Sequence, residues 1–412
     1  MYLHLDIQKE IFHNLNLEYQ IRLKQINKYS NDNLEIIDFY YIDRKYTDIL
    51  DTDILLNYPN IKRLYTCNDT PFFPEYEYLD ISHLTNLKQL ACIGFCKIDD
   101  HDIKNLDLIK LNAESNPDIT NIDHLTNLRT LNCGNVCNIT QITKNINLTK
   151  LDMLFNTNIT NINNLTNLKI LNCAGVKMSN DNIRNLNLIK LNINHTNNIT
   201  DINFMTNLKI LKCRYSNINN NSIKQLNLIK LDATGNIFIK NISHLTNLHI
   251  LHCQYKSAIS DESIKSLTTL KILNAEYNSK IKNINHLTNL ISLNCSGNCG
   301  VTDANITGLM NLTKLIIKGN YKIKNINHLT NLISLNCSHN CGIGDKNITG
   351  LMNLTKLNAT ANSKIKNINN LTNLISLNCS HNCGIGDKNI TGLVKLTKLY
   401  AIENPRVKMI IK

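Results

Sequence analysis

Leucine recurs at positions 90, 111, 131, 151, 171, 191, 211, 231, 251, 273, 293, 315, 335, 357, 377 and 399, a step of 20 to 22 residues. A repeat this short and regular rules out parsing the 412 residues into ordinary globular domains by length alone. Each copy is one supersecondary unit, able to bury its apolar face only against the copies on either side. Leu64 opens the series irregularly.

Around each leucine sits one frame, clearest in Leu329, Leu332, Leu335, Cys337, Asn340 and Ile343, and again in Leu351, Leu354, Leu357, Ala359, Asn362 and Ile365. The alternation of Leu335 and Cys337 has the period of a strand, which turns both inward and leaves Asn336 and Ser338 facing out. This frame resembles the leucine-rich repeat, over about 17 units between residues 57 and 407. The resemblance implies an α/β solenoid with a concave parallel β-sheet, one short strand per unit. The column Asn236, Asn278, Asn298, Asn320, Asn340, Asn362 and Asn382 is similar to that family's buried ladder, whose amides satisfy backbone groups where the chain leaves the strand.

The units also alternate in pairs of about 42 residues. One member continues into segments such as SDESIKSL (260–267) or SNDNIRNL (179–186), where Ser or Asp can cap a single-turn helix. The other continues into KIKNINHL, too short and too β-branched for more than an irregular turn. His83, His124, His244, His286 and His328 share a column with Asn164 and Asn370, which reads as solvated outer surface.

The cysteines invite a metal reading, because LNCSHNCG brings Cys337, His339 and Cys341 within five residues and recurs at 377–384. Two places after the repeat leucine, however, Cys92, Cys133, Cys173, Cys213, Cys253, Cys295, Cys337 and Cys379 alternate with Ala, Met or Ile, the signature of a core wall. Two strands apart is about 9.6 Å, beyond the ~7 Å limit for a disulfide and too far to share an ion. Cys96, Cys137, Cys299, Cys341 and Cys383 lie in the following turn, with a companion His only at 339 and 381. A tetrahedral site needs four converging ligands, so neither a metal nor another cofactor is expected. Fourteen cysteines with no recognisable secretory signal point to a reducing compartment.

Residues 1–30 stand outside the repeat. Ile7, Ile11, Phe12 and Leu15 fall on one helical face, and Tyr19, Leu23 and Ile26 make a second stripe, so two short amphipathic helices are expected. With Leu3, Asp6, Ile7, Ile11, Phe12, Leu15, Leu23 and Ile26 at matching positions, and Asn27-Lys28-Tyr29 closing it, this segment resembles an F-box. The resemblance implies docking on the Skp adaptor of a cullin-RING ubiquitin ligase through Leu3, Ile7, Ile11, Phe12, Leu15, Leu23 and Ile26, with a protein substrate held on the repeats. An ordinary helical cap over the first strand edge is the other reading. The Asp- and Tyr-rich stretch 31–56 separates the helices from the repeats and favours the F-box, since a cap should abut the solenoid directly. The expected organisation is an F-box-like segment at 1–30, a linker or N-terminal cap at 31–56, the solenoid at 57–407 and a tail at 408–412.

The strand-end positions of the middle units carry Phe155, His195, Arg214, Tyr215, Tyr255 and Tyr277, residue types enriched where proteins bind one another. They form the candidate partner-binding patch, the alternative being that the rings only cover the turn. Later units offer Ser292, Asn294 and Ser296 and their copies, which select little. The charge of +12 is spread along the chain, in part as Lys110, Lys150, Lys190, Lys230, Lys314, Lys356 and Lys398, so a nucleic-acid partner is not expected. No catalytic constellation stands outside the repeat frame, so an enzyme is not expected either. Asp6 and Glu10 interrupt the first apolar run, which fits neither a signal peptide nor a membrane span and points inside a cell, in cytoplasm or nucleus. The LTNL units are also similar to those of bacterial internalin-type adhesins. The Asn, Ile, Lys and Tyr bias resembles that of repeat proteins of giant DNA viruses and some protists, which implies viral use of a host ligase.

Overall fold

The computed structural model describes residues 38–40, 55–56, 60–68, 79–339 and 341–408. The F-box-like segment and its seven adaptor-binding residues lie outside them, as does Asn340. The chain forms two compact units, Met1–Asn198 and Ile199–Lys412.

Each unit is a parallel-strand solenoid. In the first, Gln89–Gly94 is followed by three-residue strands at Lys110–Asn112, Thr130–Asn132, Lys150–Asp152, Ile170–Asn172 and Lys190–Asn192. In the second, they run from Ile210–Lys212 to Lys398–Tyr400. Register never slips within either unit: Leu90 faces Leu111, Leu211 faces Leu231, and the match continues to Leu377 and Leu399. A slip of one residue would turn each leucine outward, at a loss of roughly 1.5 to 3 kcal/mol per side chain. Ahead of the repeats, Asp38–Tyr40 pairs in parallel with Arg63–Asn68, so the sheet of the first unit reaches into the stretch read as a linker.

The cysteine column is core, as its alternation with Ala and Met indicates: Cys92, Cys133, Cys173, Cys213, Cys253, Cys295, Cys337 and Cys379 are fully buried. Ser296, Ser338 and Ser380, expected on the open face, are also buried. Their short side chains share a column with longer ones such as Glu276 and Lys318, and sit beneath the surface those define.

The asparagine ladder alternates with the cysteines, which corrects the sequence column. Asn278 Nδ2 donates to the carbonyls of Cys253 (2.8 Å) and Ile259 (3.1 Å), and its Oδ1 accepts from the Lys280 amide (3.0 Å). The same amide reaches back one unit from Asn116 to Cys92, Asn156 to Cys133, Asn236 to Cys213, Asn320 to Cys295, Asn362 to Cys337 and Asn404 to Cys379. Thr196 Oγ1 takes that role toward Cys173. Asn298 and Asn382, by contrast, are exposed. The reason is local. In the Asn-bearing units the carbonyl two places after the leucine closes its own turn, as when the Asn278 amide donates to Ala275 O (3.0 Å). In the cysteine-bearing units that carbonyl takes up the next unit's side chain.

The outer side carries two more ladders. Single-turn helices form at Asp100–Ile103 and Asp261–Ile264, and 3-10 turns at Asn180–Asn182, Asp303–Asn305 and Asp345–Asn347, each after a capping residue such as Asp99, Ser179 or Ser260. The acidic residue that follows the cap ties the turn to the next unit. Asp261 Oδ1 accepts from the amides of Lys282 (2.7 Å) and Asn283 (3.0 Å) in the next unit, and Asp303 and Asp345 repeat the pattern. The histidine column, exposed at His124 and His244 as expected, is also structural. The Nε2 atoms of His124, His244, His286 and His328 lie 2.8 to 3.1 Å from the carbonyls of Ile103, Ile223, Ile264 and Ile306, one unit back.

Candidate partner-binding surface

Four residues after each repeat leucine the chain must leave the strand abruptly. In the Asn-bearing units a turn closed three residues back does this, and in both kinds of unit the residue at that place takes positive φ. Glycine meets that demand at Gly175, Gly235, Gly297 and Gly319, with φ of 71°, 66°, 65° and 64°. At the same place other units carry Phe155 (54°), His195 (56°), Tyr215 (49°), Tyr255 (58°) and Tyr277 (55°). A bulky side chain held in the left-handed region costs roughly 1–2 kcal/mol. Phe155, Tyr215, Tyr255 and Tyr277 are nonetheless 54, 47, 46 and 50% exposed, so burial returns only part of that cost.

The rings lean toward the following unit. Phe155 lies over Gly175 in the first unit of the chain, and in the second Tyr215 lies over Gly235 and Tyr277 over Gly297. A Cβ on Gly235 would stand 2.1 Å from Tyr215 Cε1, and one on Gly297 2.3 Å from Tyr277 Cε1, so those glycines are notches that seat the rings. Tyr255 leans on a ring instead: Tyr255 and Tyr277 stack with centroids 5.8 Å apart and planes 8° from parallel.

Beside this row runs a cross-linked polar row on the strands of the second unit. Arg214 Nη2 pairs with Asp232 Oδ2 at 2.7 Å, although Asp232 is only 1% exposed. His252 Nδ1 stands 3.7 Å from the same carboxylate. Burial holds the His252 imidazole below its usual pKa, against the pull of Asp232. Thr234 Oγ1 donates to Gln254 Oε1 (3.2 Å), Gln254 Nε2 to Glu276 Oε2 (3.1 Å), and Asn294 Nδ2 to Glu276 Oε2 (3.3 Å).

Of the six residues expected in the patch, the structure joins Tyr255 to Tyr277 and ties Arg214 into the polar row. Tyr215 stands two strands from Tyr255, on the far side of the Gly235 notch. Phe155 and His195 belong to the first unit. Sequence reasoning left Gln254 and Glu276 out of the patch, although they adjoin Tyr255 and Tyr277, and missed Asp232 and His252. It also missed why the aromatics sit where they do, although glycines in the same column were the available signal.

The thiols at LNCSHNCG are occupied differently from metal ligands. Cys341 Sγ donates to the Cys337 carbonyl at 2.9 Å, and His339 is exposed at the left-handed position. Among the described residues no group of three or more His, Cys, Asp or Glu side chains is arranged to hold an ion. Burial pushes thiols elsewhere in the column up, Cys173 to about 12, which keeps them protonated and poor ligands.

The sequence matches no protein-family model and no curated protein. Solved structures do match. The functional domain of InlJ from Listeria monocytogenes, described as including a cysteine ladder, is 24% identical, with a TM-score of 0.52 over 80% of this chain and 72% of that one. A leucine-rich repeat protein of Leptospira interrogans is 21% identical, with a TM-score of 0.55 over 88% of this chain and 99% of that one. TLR13 in complex with ssRNA13 is 17% identical, with a TM-score of 0.57 over 93% and 70%. Stacked parallel strands, the register of the leucines and these likenesses agree that the chain has the leucine-rich repeat fold.

Proposed function

We propose that this chain is a non-catalytic protein-binding module and that the strand-end rings of its second unit are where the partner sits. The observation that carries the reading is the choice of Tyr215, Tyr255 and Tyr277 at positions where neighbouring units use glycine. Strain kept in half-exposed aromatic side chains is unfavourable for folding and favourable for recognition, since rigid rings bury much area at little entropic cost. Replacing both Tyr255 and Tyr277 by Gly relieves about 1–2 kcal/mol of backbone strain at each site and forfeits ring contacts of similar size. The double variant should melt close to the parent while releasing the partner. Equal partner binding by the two proteins would refute the surface.

With its F-box-like head the module would serve as the substrate-recognition subunit of a cullin-RING ubiquitin ligase. Leu3, Ile7, Ile11, Phe12, Leu15, Leu23 and Ile26 would dock on the Skp adaptor while the repeats hold a protein substrate. Its mechanism would be effective concentration, keeping a substrate lysine near the conjugating enzyme. That role requires an intracellular location, and the resemblance of residues 1–30 supports it. A pull-down from eukaryotic lysate, comparing the full chain with one lacking residues 1–40, tests this part. Skp retained by the full chain alone supports it. Skp absent from both removes the ligase role and leaves a scaffold or adhesin-like binding module, a reading favoured by the shared fold of the Listeria and Leptospira proteins.

A further inference from the structure

The aromatic row has a repeat length of its own. Tyr215 and Tyr255 lie two strands apart, about 9.6 Å at the usual strand spacing, with the Tyr215 ring seated in the Gly235 notch between them. Tyr277 extends the second station by stacking on Tyr255 at 5.8 Å. A polyproline II helix has three residues per turn at 3.1 Å each, so its side chains i and i+3 share a face about 9.3 Å apart. Two strand spacings thus correspond to about one turn of polyproline II. Resting on the binding-surface reading above, we propose that the ring row of the second unit takes a proline-rich segment laid across the strands, with prolines i and i+3 over Tyr215 and Tyr255.

Three features of the surface suit such a ligand. Aromatic faces are what proline rings pack on, and a polyproline II chain arrives preformed, with little entropy left to lose. The surface is equally preformed: left-handed backbone positions, glycine notches and the stack fix the rings before anything binds. The third feature is charge. A polyproline II segment leaves its carbonyls open for hydrogen-bond donors such as phenol hydroxyls and carries no obligatory charge. The polar row beside the rings is satisfied within itself, with Arg214 paired to Asp232, and Gln254 and Asn294 both donating to Glu276. Stacking platforms for nucleic-acid bases are normally set in dense positive charge, whereas here Arg214 is paired with Asp232 and Glu276 adds a carboxylate to the row that holds Lys212 and Lys230.

The test uses the full chain and fluorescein-labelled peptides read by anisotropy. One peptide repeats Pro-Ala-Ala, so that each turn reads Pro-Ala-Ala-Pro, a second of the same length repeats Pro-Ala-Ala-Ala, and a third is Gly-Ser. Oligothymidylate is the fourth probe. The expected order is the Pro-Ala-Ala-Pro peptide first, the respaced peptide at least about fivefold weaker, and the other two weaker still. Tyr255→Gly with Tyr277→Gly should weaken the first peptide by about tenfold or more without moving the melting temperature by more than a few degrees. Tyr215→Gly should do the same and also erase the difference between the two proline spacings. Equal affinity for both spacings, or unchanged affinity in the Tyr255/Tyr277 variant, overturns the proposal. Tyrosine-dependent binding of oligothymidylate without peptide binding overturns it in favour of a nucleic acid. A protein partner lost from the double Tyr variant, with no proline-peptide binding by the parent, overturns the proposal while leaving the binding-surface reading intact.

Discussion

Asn278 and Asn298 occupy the same column of the repeat, yet only at Asn278 should replacement by alanine be costly. Asn278→Ala removes two donors and one acceptor. The carbonyls of Cys253 and Ile259 and the amide of Lys280 lose partners at 2.8, 3.1 and 3.0 Å. Cys253 and Ile259 are fully buried, so water cannot replace what is lost there. Each stranded buried group costs roughly 1 to 3 kcal/mol, and relaxation of the turn recovers part, so a net loss of about 3 kcal/mol is expected. Asn298 is exposed, and Asn298→Ala should stay within about 0.5 kcal/mol of the parent. Urea unfolding followed by circular dichroism checks both, provided the slope stays constant so that midpoints compare directly. Equal midpoints for the two variants would show that the ladder does not alternate, and the account of paired units would fall with it.

Asn145 occupies a core position that Leu125 and Leu165 fill in adjacent units, and its Oδ1 is buried without a partner among the described residues. Asn145→Leu should raise the unfolding free energy read from urea titration by roughly 1–2 kcal/mol, and a drop would show that its amide bonds to Ile122 and Leu125 outweigh the orphaned oxygen. Burial depresses the folded pKa of His252 below the ordinary imidazole value of about 6.5, so it contributes stability above about pH 6.5 that is lost as pH falls through and below that value. His252→Gln should therefore flatten the stability profile between about pH 7 and 5 relative to the parent, and superimposable profiles would refute this. Cys96 is partly exposed, its thiol held below the usual range by hydrogen bonds, first from Cys92, whereas burial pushes Cys173 and Cys379 up to about 12. Iodoacetamide labelling at pH 8 with peptide mapping should find Cys96 ahead of the other described cysteines, and uniform labelling would contradict the burial.

Strand positions, the buried leucines and the thiol wall were all legible in the sequence, because a period-2 pattern repeated at 20 to 22 residues leaves one way to bury Leu335 and Cys337 together. The single-turn helices were legible from Ser260 and Ser179 ahead of acidic residues. What stayed hidden was side-chain reach between units. Asp261 follows the cap Ser260 and bridges to Lys282 and Asn283, while His124 is exposed as its column suggests and also bonds to Ile103 one copy back. Asn298 fits the ladder by position and misses it, because the partner of each ladder residue is a carbonyl in another copy, which no column of letters displays. At the candidate surface the aromatic residues were legible by type. Their strained backbone was not, since only comparison with Gly175, Gly235 and Gly297 in that column reveals it.

The bond from each ladder Asn or Thr to the preceding cysteine unit makes the doublet, rather than the single repeat, the indivisible quantum of this molecule. Gain or loss of one copy would set two identical members side by side, one with a donor amide lacking its acceptor or one with a carbonyl lacking its donor. Gain or loss of two would leave every join as it was. The segments beginning at Leu335 and Leu377 lie 42 residues apart and share LNCSHNCGIGDKNITGL letter for letter, as duplication by whole doublets would leave them. Lengthening or shortening the protein by design should follow the same even count.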